Sequence, residues 1–513
     1  MRRDFLAALS FANLCYLRIW SELLTYRHSD THLMTTPPRP VEYVALMVNV
    51  LLAALVFWGL GLLARRVLTG RSVRFAEMAV VLGLCIPLNA LRSVLANQFP
   101  YLRSPLIELL GVGGVMTLGA CLGIAGLLAV VFFHRGVSRG AIAVLAVLSP
   151  FCAATFGQAI WRAARYDASG FANNPPAPMI AGARSTPRVL WLIADEWDYR
   201  LTFVDRDATL KLPELDRLRH GSIFFDQAYP PGQETPVSMP GYYAGRLVDR
   251  VVYDGPRELQ IAFKDHLDLE PWSKEPNVFE RARQLGANTA LAEWFYPTCR
   301  VLEGLSHCMW RPMAMQHNSM GDGFWEILPH QARSLFESNV LSLFGRPLTA
   351  EQQTGAYRAI LGEAEKWSID PDIAFTVVHL PIPHAPHVYN RETGKFSLGN
   401  SPIRGYVDSL ALLDRTVGEI RGVMEKAGVW DGANVILTSD HPYREAEALD
   451  GKTDPRIPYM LKTSGQKDGL AYGCRFNTVR TSDLVLAILR GETGDATSAA
   501  QWLDAQCTVS EVH

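Results

Sequence analysis

The chain has 513 residues, enough for more than one core, and a formal net charge of −2, which gives no electrostatic argument for a nucleic-acid partner. Its apolar residues are crowded into the first third, an arrangement that a core helix in a water-soluble protein does not explain.

Four stretches are long and apolar enough to span a bilayer: Val41–Leu63, Phe75–Val94, Leu106–Phe133 and Ala141–Ile160. A fifth, Phe5–Tyr26, is interrupted by Arg18 and Glu22, which stand one turn apart and can pair. Five spans with an inside N-terminus place Arg2, Arg3, Arg65, Arg66, Arg71, Arg74, Arg135 and Arg139 in the cytoplasm. Arg27, Arg39 and Arg103 then fall on outer loops, with Arg162 and Arg165 after the last span. This bias obeys the positive-inside rule and puts everything after about residue 165 outside the cytoplasm. The expectation is a multi-pass protein of the inner (cytoplasmic) membrane, residues 1–165, facing the periplasmic or extracytoplasmic side. The first span lacks a cleavage motif and reads as retained.

Residues 166–187 are rich in Pro, Gly, Ala, Asn and Ser and read as a linker. Residues 188–513 then alternate short β-branched runs with amphipathic helices. Expected strands are Val189–Ala194, Asn288–Trp294, Ala374–Val378, Asn434–Thr438 and Pro458–Leu461. Expected helices are Pro213–Arg219, Asn277–Gln284, Ala350–Lys366 and Arg404–Lys426. Such alternation argues an α/β sandwich on a mainly parallel sheet. Cys15, Cys85, Cys121 and Cys152 lie in apolar segments, where a free thiol acts as a small hydrophobe. The soluble part holds four more, Cys299, Cys308, Cys474 and Cys507. Three connectivities are open to them; the short Cys299–Cys308 loop with Cys474–Cys507 is the most economical.

Chemistry concentrates at strand ends. The run NVILTSDH delivers Asp440 and His441 side by side after an apolar strand, and RVLWLIADEW ends in Asp195 and Glu196. Each alone is a common solvated strand terminus; together they offer carboxylates and an imidazole above a parallel sheet. Thr235, followed by Pro236, stands where a helix begins, with free N–H groups and a positive dipole end. Its ordinary role there would be an N-cap. The run VVHLPIPHAPHVY offers His379, His384 and His387 after another strand.

With these residues in view, the soluble domain resembles the alkaline-phosphatase superfamily in its sulfatase-like branch. LPELDRLRHGSIFFDQAY is similar to the sulfatase stretch before the nucleophile, Thr235 falls at the nucleophile position, and Gly245-Arg246 fall at the closing Gly-Arg. Thr235-x-x-Ser238-x-Pro240 resembles the nucleophile segment of membrane phosphoethanolamine transferases. Spans before such a domain resemble those enzymes and lipoteichoic acid synthases. The resemblance covers about residues 187–490 and implies a divalent metal, one Zn or Mn with Mg or Ca possible, held by Asp195, Thr235, Asp440 and His441. It further implies Thr235 as nucleophile and His384, in His384-Ala-Pro, as phosphate ligand or general acid. His387 and Arg444 are the other candidates for substrate contact, Glu196 or Glu234 could complete the metal shell, and His379 reads as structural.

Three departures bear on function. Thr235 cannot become the formylglycine aldehyde of sulfatases. The motif reads Ser-Asp-His-Pro, with Tyr443 where the transferases have Glu, and no His lies between His441 and His513. A single metal is therefore expected. The resulting expectation is a transferase moving phosphoethanolamine, phosphoglycerol or a similar group from a membrane lipid to an envelope glycan or lipid. The alternatives are a phosphate or sulfate ester hydrolase and an inactive relative in envelope biogenesis.

Overall fold

The computed structural model describes residues 2–24, 37–98, 104–183, 187–255, 257–312, 321, 323–339, 347–396 and 402–507. Arg27, Arg103 and linker residues 184–186 lie outside them. The chain divides into two compact units. The first takes in Met1–Arg27, Pro37–Asp167 and also Met320–Phe344, a segment from far downstream; the second holds the remainder.

The first unit is helical: α1 (Arg2–Cys15), α2 (Leu17–Leu24), α3 (Pro40–Val67), α4 (Arg71–Gly83), α5 (Cys85–Gln98), α6 (Ser104–Val147) and α7 (Ser149–Ala164). Tyr16, Trp20, Tyr43, Leu46 and Val50 form its core, and Asp4 pairs bidentately with Arg65 at 2.8 Å. Fewer helices than expected are long and apolar enough to cross a membrane. Pro40–Val67 and Arg71–Arg92 qualify, and Thr117–Gly126 with Val131–Val147, bent by 81°, makes a third if it is one broken span. The count among the described residues is two or three, not five. Phe5–Tyr26 divides at Tyr16 into the short helices α1 and α2, and Ala141–Ile160 is broken at Leu148, leaving α7 only 16 residues long. A hydropathy run records apolarity but not where the helix stops.

The second unit is an α/β sandwich with an eight-stranded sheet. Its strands in chain order are β1 (Arg188–Asp195), β2 (Ile223–Phe225), β3 (Thr289–Trp294), β4 (His307–Arg311), β5 (Phe375–Pro383), β6 (Ala433–Ser439), β7 (Tyr459–Lys462) and β8 (Leu470–Tyr472). Across the sheet the order is β8-β2-β7-β6-β1-β5-β3-β4. The two pairings of β7 are antiparallel and the rest parallel. Strand β1 is buried along its whole length, as expected of a parallel strand covered on both faces. Helices α8 (Pro213–His220), α9 (Thr235–Ala244), α10 (Val278–Gln284) and α11 (Thr298–Val301) connect the first strands. Asn277 and Glu280 close a capping box on α10. Helix α12 (Phe324–Asn339), which belongs to the first unit, comes next in the chain, and α13 (Pro347–Ile369) and α14 (Pro402–Lys426) return to the second.

The linker is not a free tether, because part of it lies along the rest of the second unit. Asn174 N donates to Cys299 O at 2.7 Å, Ala177 N to Leu305 O at 2.8 Å and Ile180 N to Asn288 Oδ1 at 2.8 Å. Cys299 is disulfide-bonded to Cys308, and Cys474 to Cys507.

Candidate metal and nucleophile site

The site is fixed by the register of two adjacent parallel strands. Ala194 of β1 stands level with Ser439 of β6, so the residues that follow, Asp195 and Asp440-His441, emerge together at the carboxyl edge of the sheet. Ser439 joins the strand ends through its hydroxyl, which donates to Ala194 O at 2.9 Å and accepts from Trp197 N at 2.8 Å. Thr235 arrives from the side, in the first turn of α9. Gly232 lets that turn close: a Cβ there would sit 2.8 Å from Val237 Cγ1. Gly245 ends the helix with φ 73°. Arg246 pairs with Glu275 at 2.7 Å and Asp265 at 2.8 Å, so this Gly-Arg pair is a structural close to the helix.

Asp195, Thr235, Asp440 and His441 are all buried, and one ligand atom from each of Asp195, Asp440 and His441 lies within 4.8 Å of the others. Thr235 Oγ1 donates to Asp440 Oδ2 at 2.7 Å and lies 3.2 Å from His441 Nε2. His441 Nδ1 is 2.9 Å from Pro442 O. A carbonyl only accepts, so Nδ1 carries the proton and Nε2 turns to the site. The single hydroxyl hydrogen of Thr235 is already committed to Asp440. Either a proton on Nε2 or a cation must therefore lie between the facing lone pairs. Asp195 Oδ1 is buried without a hydrogen-bond partner. Burial, with the charge of Asp440 added, pushes the Asp195 carboxyl up to about 8. Asp440 resists the same burial because His441, His379 and the Thr235 hydroxyl favour its charge, and it is lowered. Two carboxylates, one of them with an orphaned oxygen, an imidazole nitrogen and a hydroxyl fit a divalent cation with mixed O and N ligands.

The other candidates are dispersed. Glu196, in the left-handed region at φ 64°, turns its carboxylate to Arg444 Nε at 2.7 Å and away from the ligand atoms, while its N–H donates to Asp440 Oδ1 at 3.1 Å. Glu234 is exposed before α9. Neither carboxylate joins the cluster. Half-exposed Arg444 also reaches His384 Nε2 at 3.4 Å. His384 places Nδ1 on Ala385 O and packs edge-on against Trp294, 5.2 Å between ring centroids. His387, expected at the substrate, is buried against Ser409 Oγ at 3.2 Å instead. Burial, with His384 nearby, lowers it to about 4 and keeps it neutral. Its place is a packing one: Gly405 of α14 makes the room, since a Cβ there would lie 2.6 Å from His387 Cβ.

Of the groups behind Asp195, sequence reasoning named His379, as structural, and did not single out Glu293, Trp294 or Tyr243. Trp294 Nε1 donates to Asp195 Oδ2 at 2.8 Å. His379 Nε2 lies 3.7 Å from the same oxygen, and its Nδ1 is 2.5 Å from Glu293 Oε1. Tyr243 donates to the other oxygen of Glu293. Burial opposes charge on His379, but Glu293, Asp195 and Asp440 outweigh it and raise the group to about 9, so an imidazolium backs the site at neutral pH. The usable signal was Glu293-Trp294, polar groups at the end of a strand buried throughout.

The family model described as Sulfatase matches residues 187–483. No match was found among curated proteins. Among solved structures, the phosphonate monoester hydrolase of Agrobacterium radiobacter is similar at 14% identity and TM-score 0.43, covering 62% of this chain and 77% of that one. The PsFucS1 sulfatase from Pseudoalteromonas sp. is similar at 15% identity and TM-score 0.41, covering 59% and 67%. With the matched segment spanning more than half of its length, the chain belongs to the sulfatase family and carries a candidate divalent-metal site.

Proposed function

We propose that the protein is a membrane-anchored, metal-dependent transferase that moves a phospho group, such as phosphoethanolamine or phosphoglycerol, from a lipid donor to an envelope glycan or lipid through Thr235. The observation that carries this reading is a threonine hydroxyl 2.7 Å from Asp440 Oδ2, buried in the first turn of α9. The methyl group on its carbinol carbon bars oxidation to an aldehyde, which separates it from sulfatase chemistry. The apolar helices of the first unit would keep such a centre near a lipid donor.

A divalent cation on Asp195, Thr235, Asp440 and His441, Zn or Mn by its ligand set, would acidify the Thr235 hydroxyl and offset charge on the transferring oxygens. Thr235 Oγ1 bonds to phosphorus as the donor's phosphorus–oxygen bond breaks. The hydroxyl proton, held at Asp440 Oδ2, leaves in net terms with the departing alcohol. The positive end of α9 and the imidazolium of His379 favour the anion gathered there. In the second half-reaction the acceptor hydroxyl attacks phosphorus as the Thr235 Oγ1–phosphorus bond breaks, and the acceptor's proton passes in net terms to Thr235 Oγ1. His384, expected as phosphate ligand or general acid, presents Nε2 as a proton acceptor, since its Nδ1 is committed to Ala385 O, and would instead relay that proton as a base. Water as final acceptor would make the same centre an ester hydrolase.

Intact-mass analysis of protein purified from cells tests this. A phospho-adduct is expected on the wild type and absent from Thr235→Ala, its mass naming the group. Full activity of Thr235→Ala would end the proposal. Lipids and glycans unchanged by the protein, with phosphate released, would select hydrolysis.

A further inference from the structure

Helix α12 belongs in sequence to the catalytic half, between β4 and α13, yet it packs in the first unit. There it carries three different faces. Ile327 and Gln331 are buried, and Leu335 packs on the bundle core. Asn49 Nδ2 of α3 donates to Leu328 O at 3.0 Å and to Gln331 Oε1 at 3.2 Å, and Gln331 Nε2 donates to Glu42 O at 3.0 Å. A second set, Glu326, His330, Arg333 and Glu337, recurs at spacings of four, three and four. A third, Trp325, Pro329, Ala332 and Phe336, follows the same spacing one position earlier. At about 100° per residue, each set of four occupies one face. All four residues of the third set are exposed, Trp325 at 82% and Phe336 at 53%.

A helix docked on protein by one face has no use for a second apolar stripe in water, where an exposed Trp and Phe are both unfavourable relative to burial. An apolar stripe flanked by a charged one is the pattern of a helix lying at a membrane boundary, with Trp at the headgroup level. Its docking partner fits that location. Helix α3 has 28 residues, long enough to cross, and α12 is bonded to its first turns, Glu42 to Asn49. Beyond them Leu51, Leu52, Leu55, Val56 and Leu60 of α3 are exposed and apolar.

We propose that α12 is an interfacial anchor, clamped on α3 by one face and laid against lipid acyl chains by Trp325, Pro329, Ala332 and Phe336. The proposal rests on reading the first unit as a membrane bundle. It makes the catalytic chain return to the membrane at a second place, independent of residues 166–187.

The test uses the full chain in vesicles of phosphatidylethanolamine and phosphatidylglycerol. The photoreactive residue p-benzoylphenylalanine replaces Trp325, Phe336, His330 or, on α3, Leu55, one at a time, and lipid adducts are read by intact mass. Adducts are expected at Leu55, Trp325 and Phe336, with several-fold fewer at His330. Adducts at Leu55 but not at Trp325 or Phe336, or equal yields at His330, would overturn the anchor while sparing the bundle. Adducts at none of the four would overturn both. A second readout avoids the photoreactive group: brominated acyl chains should quench Trp325→Phe less than the wild type, and equal quenching counts against the anchor.

Discussion

Trp294 donates its indole N–H to Asp195 Oδ2 at 2.8 Å, and that bond leaves Oδ1 of the same carboxylate as the free, inward-facing ligand atom. The tryptophan thus chooses which oxygen of Asp195 would serve a cation. Partners of this kind typically govern metal affinity by 10–100-fold. Trp294→Phe keeps the ring and removes the donor, so metal titration should show affinity falling by roughly tenfold, with the fold retained by circular dichroism. Unchanged affinity would show that Asp195 is oriented by other means.

Asp195 also sets a pH dependence. Without a cation its carboxyl is raised to about 8, whereas a ligand must be ionised. Binding below that value has to displace a proton, so affinity should fall by about tenfold per pH unit from pH 8 to 6 and level off above 8. Titrations at pH 6, 7 and 8 decide this, and a flat profile would refute it.

His387 predicts an acid limb in stability. Its folded value, about 4, lies below the ordinary histidine value near 6.5, so the unfolded chain takes up the proton first. The stability from keeping it neutral is complete above pH 6.5 and is lost as the pH falls toward 4, ~3 kcal/mol in all. Urea midpoints at pH 7 and 4.5 should differ less in His387→Gln than in the wild type.

A cut in the linker should not free the catalytic chain. A protease site placed after Asp167, which is exposed and precedes the strip bonded to the second unit, would separate residues 1–167 from 168–513. The second fragment still contains α12 and should sediment with membranes. Combining Asn49→Ala, Gln331→Ala, Trp325→Ser and Phe336→Ser should release it. Release from the wild type after cutting would argue that α12 holds nothing.

Gly245 offers a local check on α9. Its φ of 73° is one that L side chains rarely adopt, and an added Cβ would lie 3.3 Å from Arg281 Nη2. Gly245→Ala should destabilise by about 1–2 kcal/mol, read as a lower thermal midpoint.

Much of the sheet was legible because its central strands are Val-, Ile- and Leu-rich runs between turn residues. β1, β3, β5, β6 and β7 all begin within a residue of where those runs begin. β4 was not legible: HCMWR is half-buried at the sheet's edge and lacks an apolar signature. The four residues that converge at the site were readable because each sits at an element boundary, where a polar residue after an apolar run stands out. Glu293 did not stand out, because one acidic residue inside a run reads as ordinary alternation; only packing on both faces of the strand buries it. Helix α12 was hidden for another reason. Its neighbours in sequence belong to the other unit, and no local pattern states which surface a helix will join.

The level pairing of Ala194 with Ser439 has a consequence in time. Thr235 and Asp440 are 205 positions apart, and the centre needs both. A growing chain therefore carries Asp195 and Thr235 long before their partners are synthesised. Only after β6 has inserted beside β1 can an ion find more than scattered ligands. Loading of a cation there would thus be a late event in the life of each molecule, and would report that the sheet has closed.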